Sequence, residues 1–307
     1  MTLLTRQTVL LAKTEVTYGT DPTPAAANAI AAFDVQVTPS VQTVTRPLYK
    51  ATIGASQPIA GFKDIEISFK TELKGSGAAG TAPETAPLFK ACAMEETVDS
   101  GVSVTYSPVS DDLDSVTIYV YKDGTLHKLH GGMGTFSIDA SVGQITTISW
   151  TFQGKTAAES QTAHPGSEVY DSTVPVALTS AGLSYGGWSA IATKATLDIG
   201  NTVAQRPSMN ESDGVIGYMI TSRETKGGID PEADPTTFDV WAALKAADSD
   251  AFSITIGATA GNICDIDCPA CVLTGAPYGD RNGIVTHDLG FICAESSGDD
   301  EIAIVFT

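Results

Sequence analysis

Ile65-Glu66-Ile67-Ser68-Phe69-Lys70-Thr71-Glu72-Leu73-Lys74 is the stretch that decides the fold class. Ile65, Ile67, Phe69 and Leu73 fall on one face of an extended chain, and Glu66, Ser68, Lys70, Glu72 and Lys74 on the other. Side chains alternate across a strand, so this period of two marks a strand with one buried face and one wet face. The alternation predicts a strand from Gly61 to Leu73. The same spacing sets Glu72 beside Lys74 on the wet face, where such a pair is either solvated or matched to a neighbouring subunit.

Outward from this strand, the chain reads as a β-rich unit. Upstream, residues 39–61 hold Pro39, Pro47, Gly54, Pro58 and Gly61 and predict an arm, since a loop this long inside a compact domain is usually functional or disordered. Residues 1–32 read as an N-terminal arm that contains one short strand. Downstream, Thr85 to Met94 predicts a short helix that tolerates a proline in its first turn. Strands are expected at 102–106, 116–121, 125–130, 134–140 and 145–153, with Asp123-Gly124 as a hairpin turn.

The pattern then recurs. Thr45-Arg46-Pro47 matches Gln205-Arg206-Pro207, and Thr71-Glu72-Leu73-Lys74-Gly75 matches Arg223-Glu224-Thr225-Lys226-Gly227. Leu88 to Ala91 matches Ala243 to Ala246, and Ile148, Trp150 and Phe152 match Ile302, Ile304 and Phe306. The matches keep their order at offsets of 160, 152, 155 and 154. A period near the size of an ordinary domain implies duplication. The expected fold is mainly β: two tandem antiparallel β-sandwich or half-barrel domains, each with one short α-helix, plus extended arms. Residues 33–155 form the first domain, 156–175 a linker and 176–307 the second. Within the second, Phe238, Trp241 and Leu244 predict a helix over 234–247. Arg46, Pro47, Glu72, Lys74, Arg206, Pro207, Glu224 and Lys226 are the candidate inter-subunit contacts.

Charge narrows the function. The net charge is −19, with 11 basic against 18 acidic residues in 1–172 and 6 against 18 in 173–307. Neither half offers a basic surface for tracking phosphates. No run of eighteen apolar residues predicts a membrane helix, and residues 1–6 lack the segments of a signal peptide. Five cysteines make no disulfide framework, so cytosolic synthesis with reduced thiols is expected. Cys264, Cys268 and Cys271, with Cys293 as a fourth ligand, form a weak candidate metal site, and small buried side chains in a sheet explain them as well. The four histidines form no catalytic motif, and no cofactor is expected. Asp111-Asp112-x-Asp114 and Asp299-Asp300-Glu301 read as solvated turns.

Leu10-Leu11-Ala12-Lys13-x-Glu15-x-Thr17-Tyr18-Gly19-Thr20-Asp21-Pro22-Thr23-Pro24, the Arg46-Pro47 arm and the Glu72-Leu73-Lys74-Gly75 strand end together resemble the major tail-tube proteins of long-tailed bacteriophages. The resemblance implies a non-enzymatic structural subunit in the virion tail, assembled in the host cytoplasm. It implies stacked rings in which neighbours' strands join into one barrel around the lumen. A two-domain chain could close such a ring with three copies. Implied partners are other copies of the chain, tape-measure and tail-terminator or tail-tip proteins, and DNA passing through without specific binding. An acidic lumen is expected to repel that DNA. A capsid-decorating or host-adhesion β-sandwich pair is the alternative.

Overall fold

A computed structural model describes Leu4 and residues 6–307; residues 1–3 and 5 of the expected N-terminal arm lie outside the described residues. The first half contributes β1 (Thr8–Thr14), β2 (Ala29–Ile30), β3 (Ala32–Val44), β4 (Ile59–Glu72), α1 (Ala86–Lys90), β5 (Met94–Asp99), β6 (Ser103–Pro108), β7 (Val116–Lys122), β8 (Thr125–Ser141) and β9 (Thr147–Thr156). There follow β10 (Ser160–Gln161), β11 (Ser184–Tyr185), β12 (Lys194–Asp198), β13 (Thr202–Pro207), β14 (Val215–Ser222), β15 (Lys226–Ile229), α2 (Val240–Ala246), β16 (Ser249–Ile256), β17 (Cys264–Gly275), β18 (Tyr278–Arg281), β19 (Ile284–His287), β20 (Leu289–Cys293) and β21 (Ala303–Phe306). Among the described residues the chain is mainly β with two short α-helices, and its strands pair antiparallel.

Both halves carry the same strand order. In the first, β1 pairs with β7, β7 with β8, β8 with β9, β9 with β4 and β4 with β3. In the second, β11 pairs with β16, β16 with β17, β17 with β20, β20 with β15 and β15 with β12. Each order encloses one helix, placed between the hairpin and the following meander. The Glu-Lys matches sit differently on these strands: Glu72 is the last residue of β4, whereas Glu224 precedes β15.

The two halves are not separate bodies. β12 adds to the free side of β8, with Ser137 opposite Asp198 and Ser141 opposite Lys194. β21 bridges β17 and β6. One hydrophobic core therefore runs from Leu10 to Phe306. At its centre, the Phe89 ring from α1 lies 4.7 Å from Tyr106, 5.0 Å from Trp150 and 6.2 Å from Phe306, whose strand belongs to the other half. Edge and offset ring contacts of this kind add to the area they bury.

Local chemistry explains the departures from expectation. Residues 8–32 are not an arm: Leu10, Leu11 and Ala12 are buried because β1 pairs with β7 along its whole length. The segment 156–175 is docked, with Thr162 N–H donating to Gly124 and Val169 N–H to Ala26. The second helix starts at Val240 rather than Asp234. Asp239 caps it by accepting from Ala242 N–H at 3.0 Å. Asp234 instead closes a turn with the Thr236 and Thr237 hydroxyls, which hold its carboxyl down to about 2.

Candidate functional site

Two hairpin arms and the sheet face between them lie outside the hydrophobic core. β3 and β4 pair from Ala32–Thr71 out to Val44–Ile59, and residues 45–58 form the tip. The pattern of β4 is the one read from sequence as far as Glu72: Ile65, Ile67 and Phe69 are buried, and Glu66, Ser68 and Lys70 are not. At the tip Arg46 and Pro47 are exposed, and so are three large apolar side chains, Leu48 at 50%, Tyr49 at 106% and Ile53 at 110%. On the side of β3 away from β4, no strand pairs among the described residues. A groove of about 740 Å³ runs along the base of this edge, between Phe33, Asp34, Lys70 and Trp150.

The second arm has the opposite fate. β13 and β14 pair with each other and fold back onto the first half. The hinge lies between β12 and β13. Gly200 has φ +64, and a Cβ there would sit 2.2 Å from the Glu224 carbonyl, so only glycine fits. The next residue, Asn201, is buried and donates from Nδ2 to the carbonyls of Cys92 (2.8 Å) and Gly134 (3.0 Å) in the first half.

Further out, Tyr18 acts as a pin. Its hydroxyl oxygen accepts from Tyr218 N–H at 2.6 Å and its proton can reach the carbonyl of Gly131 or Tyr218, each 3.1 Å away. Burial raises the Tyr18 pKa, so the pin stays protonated. A Cβ on Gly217 would lie 2.1 Å from this hydroxyl. Gln205 and Tyr218 both donate to Asp64, and Lys155 pairs with Asp213 at 2.9 Å. Arg206 and Pro207 remain exposed at the end of β13.

Glu15 sets the pin in place. It is a buried carboxylate that accepts from Gly19 N–H (2.6 Å), Gly131 N–H (2.8 Å) and the Ser115 and Thr117 hydroxyls. Four donors satisfy a charge that would otherwise be costly to bury. Neither Glu15 nor Tyr18 was among the candidate contacts. The signal was their place in the Leu10–Pro24 opening, where a lone glutamate follows three apolar residues of a strand.

The remaining candidates scatter. Lys74 does not lie on the wet face. The strand ends at Glu72, Lys74 turns inward, and its ammonium is held by the Asp171 carbonyl (2.9 Å) and by Glu84 (3.5 Å). A buried ammonium already bound by its own chain has little left to offer a neighbour. Glu72 is half-buried on the polar face, and Glu224 and Lys226 are exposed on either side of the buried Thr225. The Asp299-Asp300-Glu301 turn is likewise not merely solvated: Arg223 pairs with Asp299 at 2.8 Å and with Glu301.

Cys268, Cys271 and Cys293 come together, their sulfurs all within 4.8 Å of one another, while Cys264 lies further along β17 opposite Phe306. All four are buried. Hydrogen bonding to Cys271 and Cys293, with burial, pushes the Cys268 thiol far up, and burial does the same at Cys264. The hydrogen bonds to Cys268 and Cys293 act the other way on Cys271 and hold its thiol well below the ordinary value, so the three sulfurs titrate as one buried set.

Across the sheet runs a continuous polar face. Lys70 lies opposite Ser149, Ser149 opposite Ser137, Ser137 opposite Asp198, and Asp198 opposite Lys226. A second row joins Glu72, Thr147, Asp139, Thr196 and Gly228. The face is rich in hydroxyls. Its charges include Asp64, Glu66, Glu72, Asp139 and Asp198 against Lys70, Lys155, Lys194 and Lys226, and Lys194 pairs with Asp139 at 3.1 Å. A family model described as phage tail tube protein matches residues 5–293. No curated protein sequence matches the chain.

Proposed function

The chain belongs to the phage tail tube protein family, and from that premise we propose that it is a duplicated, two-domain tube subunit that closes a ring with three copies. The family is structural and not enzymatic, and it belongs to the virion tail. The observation that carries the proposal is the junction at which β12 adds to β8. There the four strands β3, β4, β9 and β8 of one half continue into β12, β15, β20 and β17 of the other. The junction joins unlike ends of two sheets with the same strand order. The same kind of contact is still open at the outer ends, at the β3 edge and along β17 beyond Val272.

A heterologous contact of this kind repeats until rotation closes it. Pairing the β3 edge of one copy with the β17 end of the next removes both unpaired edges, which are otherwise a liability. Eight strands per copy give 24 in a three-copy ring. With strands about 4.8 Å apart and tilted by roughly 40°, that barrel has a backbone diameter of about 48 Å. A bore of that size passes a DNA duplex. The hydroxyl-rich face lines it, with an excess of one carboxylate per copy over the charges named above, so the wall neither binds nor strongly repels phosphate. The expected acidic lumen is thus a mild one, and most of the −19 lies elsewhere.

Rings then stack through the arms, and tape-measure and tail-terminator or tail-tip proteins meet the tube at its core and ends. Burying Leu48, Tyr49 and Ile53 at such a contact stabilises it by about 1.5–3 kcal/mol for each side chain. Negative-stain microscopy of the purified chain tests the reading. Rings or tubes with threefold symmetry are expected. A discrete particle with no central bore, as for a capsid-decorating or adhesion protein, overturns it.

A further inference from the structure

Residues 35–63 contain no aspartate or glutamate, yet they hold Arg46, Lys50 and Lys63. In a chain of net charge −19, this arm is +3 and the rest is −22. The complement of the arm lies on the opposite side of the fold. The strands β5, β6, β16, β17 and β21 contain no lysine or arginine, but they carry Glu95, Glu96, Asp99, Asp250, Asp265 and Asp267.

The register places four of these carboxylates on one surface. Asp265 lies opposite Thr255 on one side and Val305 on the other. Val305 lies opposite Thr105, and Thr105 opposite Thr97. Asp267 flanks Asp265, and Glu95 and Asp99 flank Thr97, each at the two-residue spacing that keeps side chains on one face. The alternate residues Cys264, Ile266, Ile304, Val104 and Tyr106 are buried in the core. Glu95, Thr97, Asp99 and Asp267 are exposed. Among the described residues none of the four carboxylates has a cationic partner. Partial burial and the Asp265 charge raise the Asp267 pKa, as happens where like charges lack a counter-ion.

We propose that this acidic sheet face is the receptor for the basic 39–63 arm of a second copy of the chain. The inference rests on the tube reading and names the contact by which its copies hold one another. The tip of the arm is not covered by its own chain: Tyr49 and Ile53 stand free and Leu48 is half exposed. The partner is protein rather than DNA because the cations are interleaved with these apolar groups. Exposed Val102, in the turn between β5 and β6, gives them a surface to cover. Complementary charge sets the register and speeds the encounter, and salt weakens it.

Charge reversal tests the contact. One variant carries Arg46→Glu, Lys50→Glu and Lys63→Glu in the arm; a second carries Glu95→Lys, Asp99→Lys and Asp267→Lys on the face. All six residues are exposed, and circular dichroism with thermal melting confirms that each variant folds. Self-association is read by light scattering and microscopy. Each variant alone is expected to lose at least tenfold in association, and one chain carrying both sets is expected to recover it. Association of either single-set variant at the wild-type level overturns the proposal, as does failure of the combined chain to recover. Normal assembly of the arm variant with weakened retention of DNA overturns it in favour of a nucleic-acid partner. A wild-type chain that never self-associates overturns the tube reading as well, whereas the other outcomes leave that reading standing.

Discussion

The β3–β4 arm and the β13–β14 arm occupy the same place in two sheets of the same strand order, yet one projects and the other is docked. The difference is chemical. The docked arm breaks at Gly200, sends Asn201 into the first half, and fits Gly217 against Tyr18. Its Asp213 pairs with Lys155 of the first half. The outer part of the projecting arm, residues 35–63, has no hinge asparagine, no pin and no acid. An arm that is satisfied internally fixes the halves of one copy together, and an arm that is not looks to another copy.

The most severe way to break this contrast is to remove the free arm. Replacing residues 45–58 by a two-residue Asn-Gly turn should abolish polymerisation while the melting temperature moves by only a few degrees, because the tip buries nothing in its own chain. Microscopy and calorimetry read the two effects separately, and tubes of normal length from this variant would refute the role of the arm. Next in size is the hinge. Asn201→Ala strands the carbonyls of Cys92 and Gly134 in the interior and should cost about 1–3 kcal/mol in denaturant unfolding. Gly217→Val overpacks the Tyr18 hydroxyl and should cost a comparable amount, about 1–3 kcal/mol.

A protease distinguishes the arms without mutation. Thermolysin, which cuts before large apolar residues, should cut first before Ile53 in the unassembled chain and spare Met209 in the 208–214 loop. Protection of the Thr52–Ile53 bond before assembly would show that the first arm is already docked. The smallest effect is on pH. The Lys155 hydrogen bond holds the Asp213 carboxyl below its ordinary value, so its contribution is present above the unfolded Asp range and is lost as pH falls through the lowered one. Acidification should therefore lower the protection factors of the β13 and β14 amides, taken relative to intrinsic exchange at each pH, while leaving those of β3 and β4 unchanged. A uniform response of both arms would contradict their inequality.

Much of this was written in local pattern. The alternation in β4 was legible because one face is buried and the other is not. The proline and glycine spacing of 39–61 marked a projection, but pairing carries β3 on to Val44 and starts β4 at Ile59, so only 45–58 is loop. Other features depend on distant partners and left no local trace. Lys74 looked like a wet-face residue until Glu84 and Asp171 closed on it. Glu72 and Glu224 look alike in sequence but stand at different places, Glu72 at the end of β4 and Glu224 before the start of β15. The polar and acidic faces exist only once the register brings Asp265 level with Val305, Thr105 and Thr97. The thiol cluster likewise needed the pairing of Cys271 with Cys293 across β17 and β20, and that pairing excluded Cys264.

The most direct test is the symmetry of the assembled particle at a resolution that traces strands. Three copies per ring are expected, with the β3 edge of each copy paired to the β17 end of the next in the manner of β12 on β8. A ring of six whole chains, or a closed ring in which the β3 edge stays unpaired, would contradict the account.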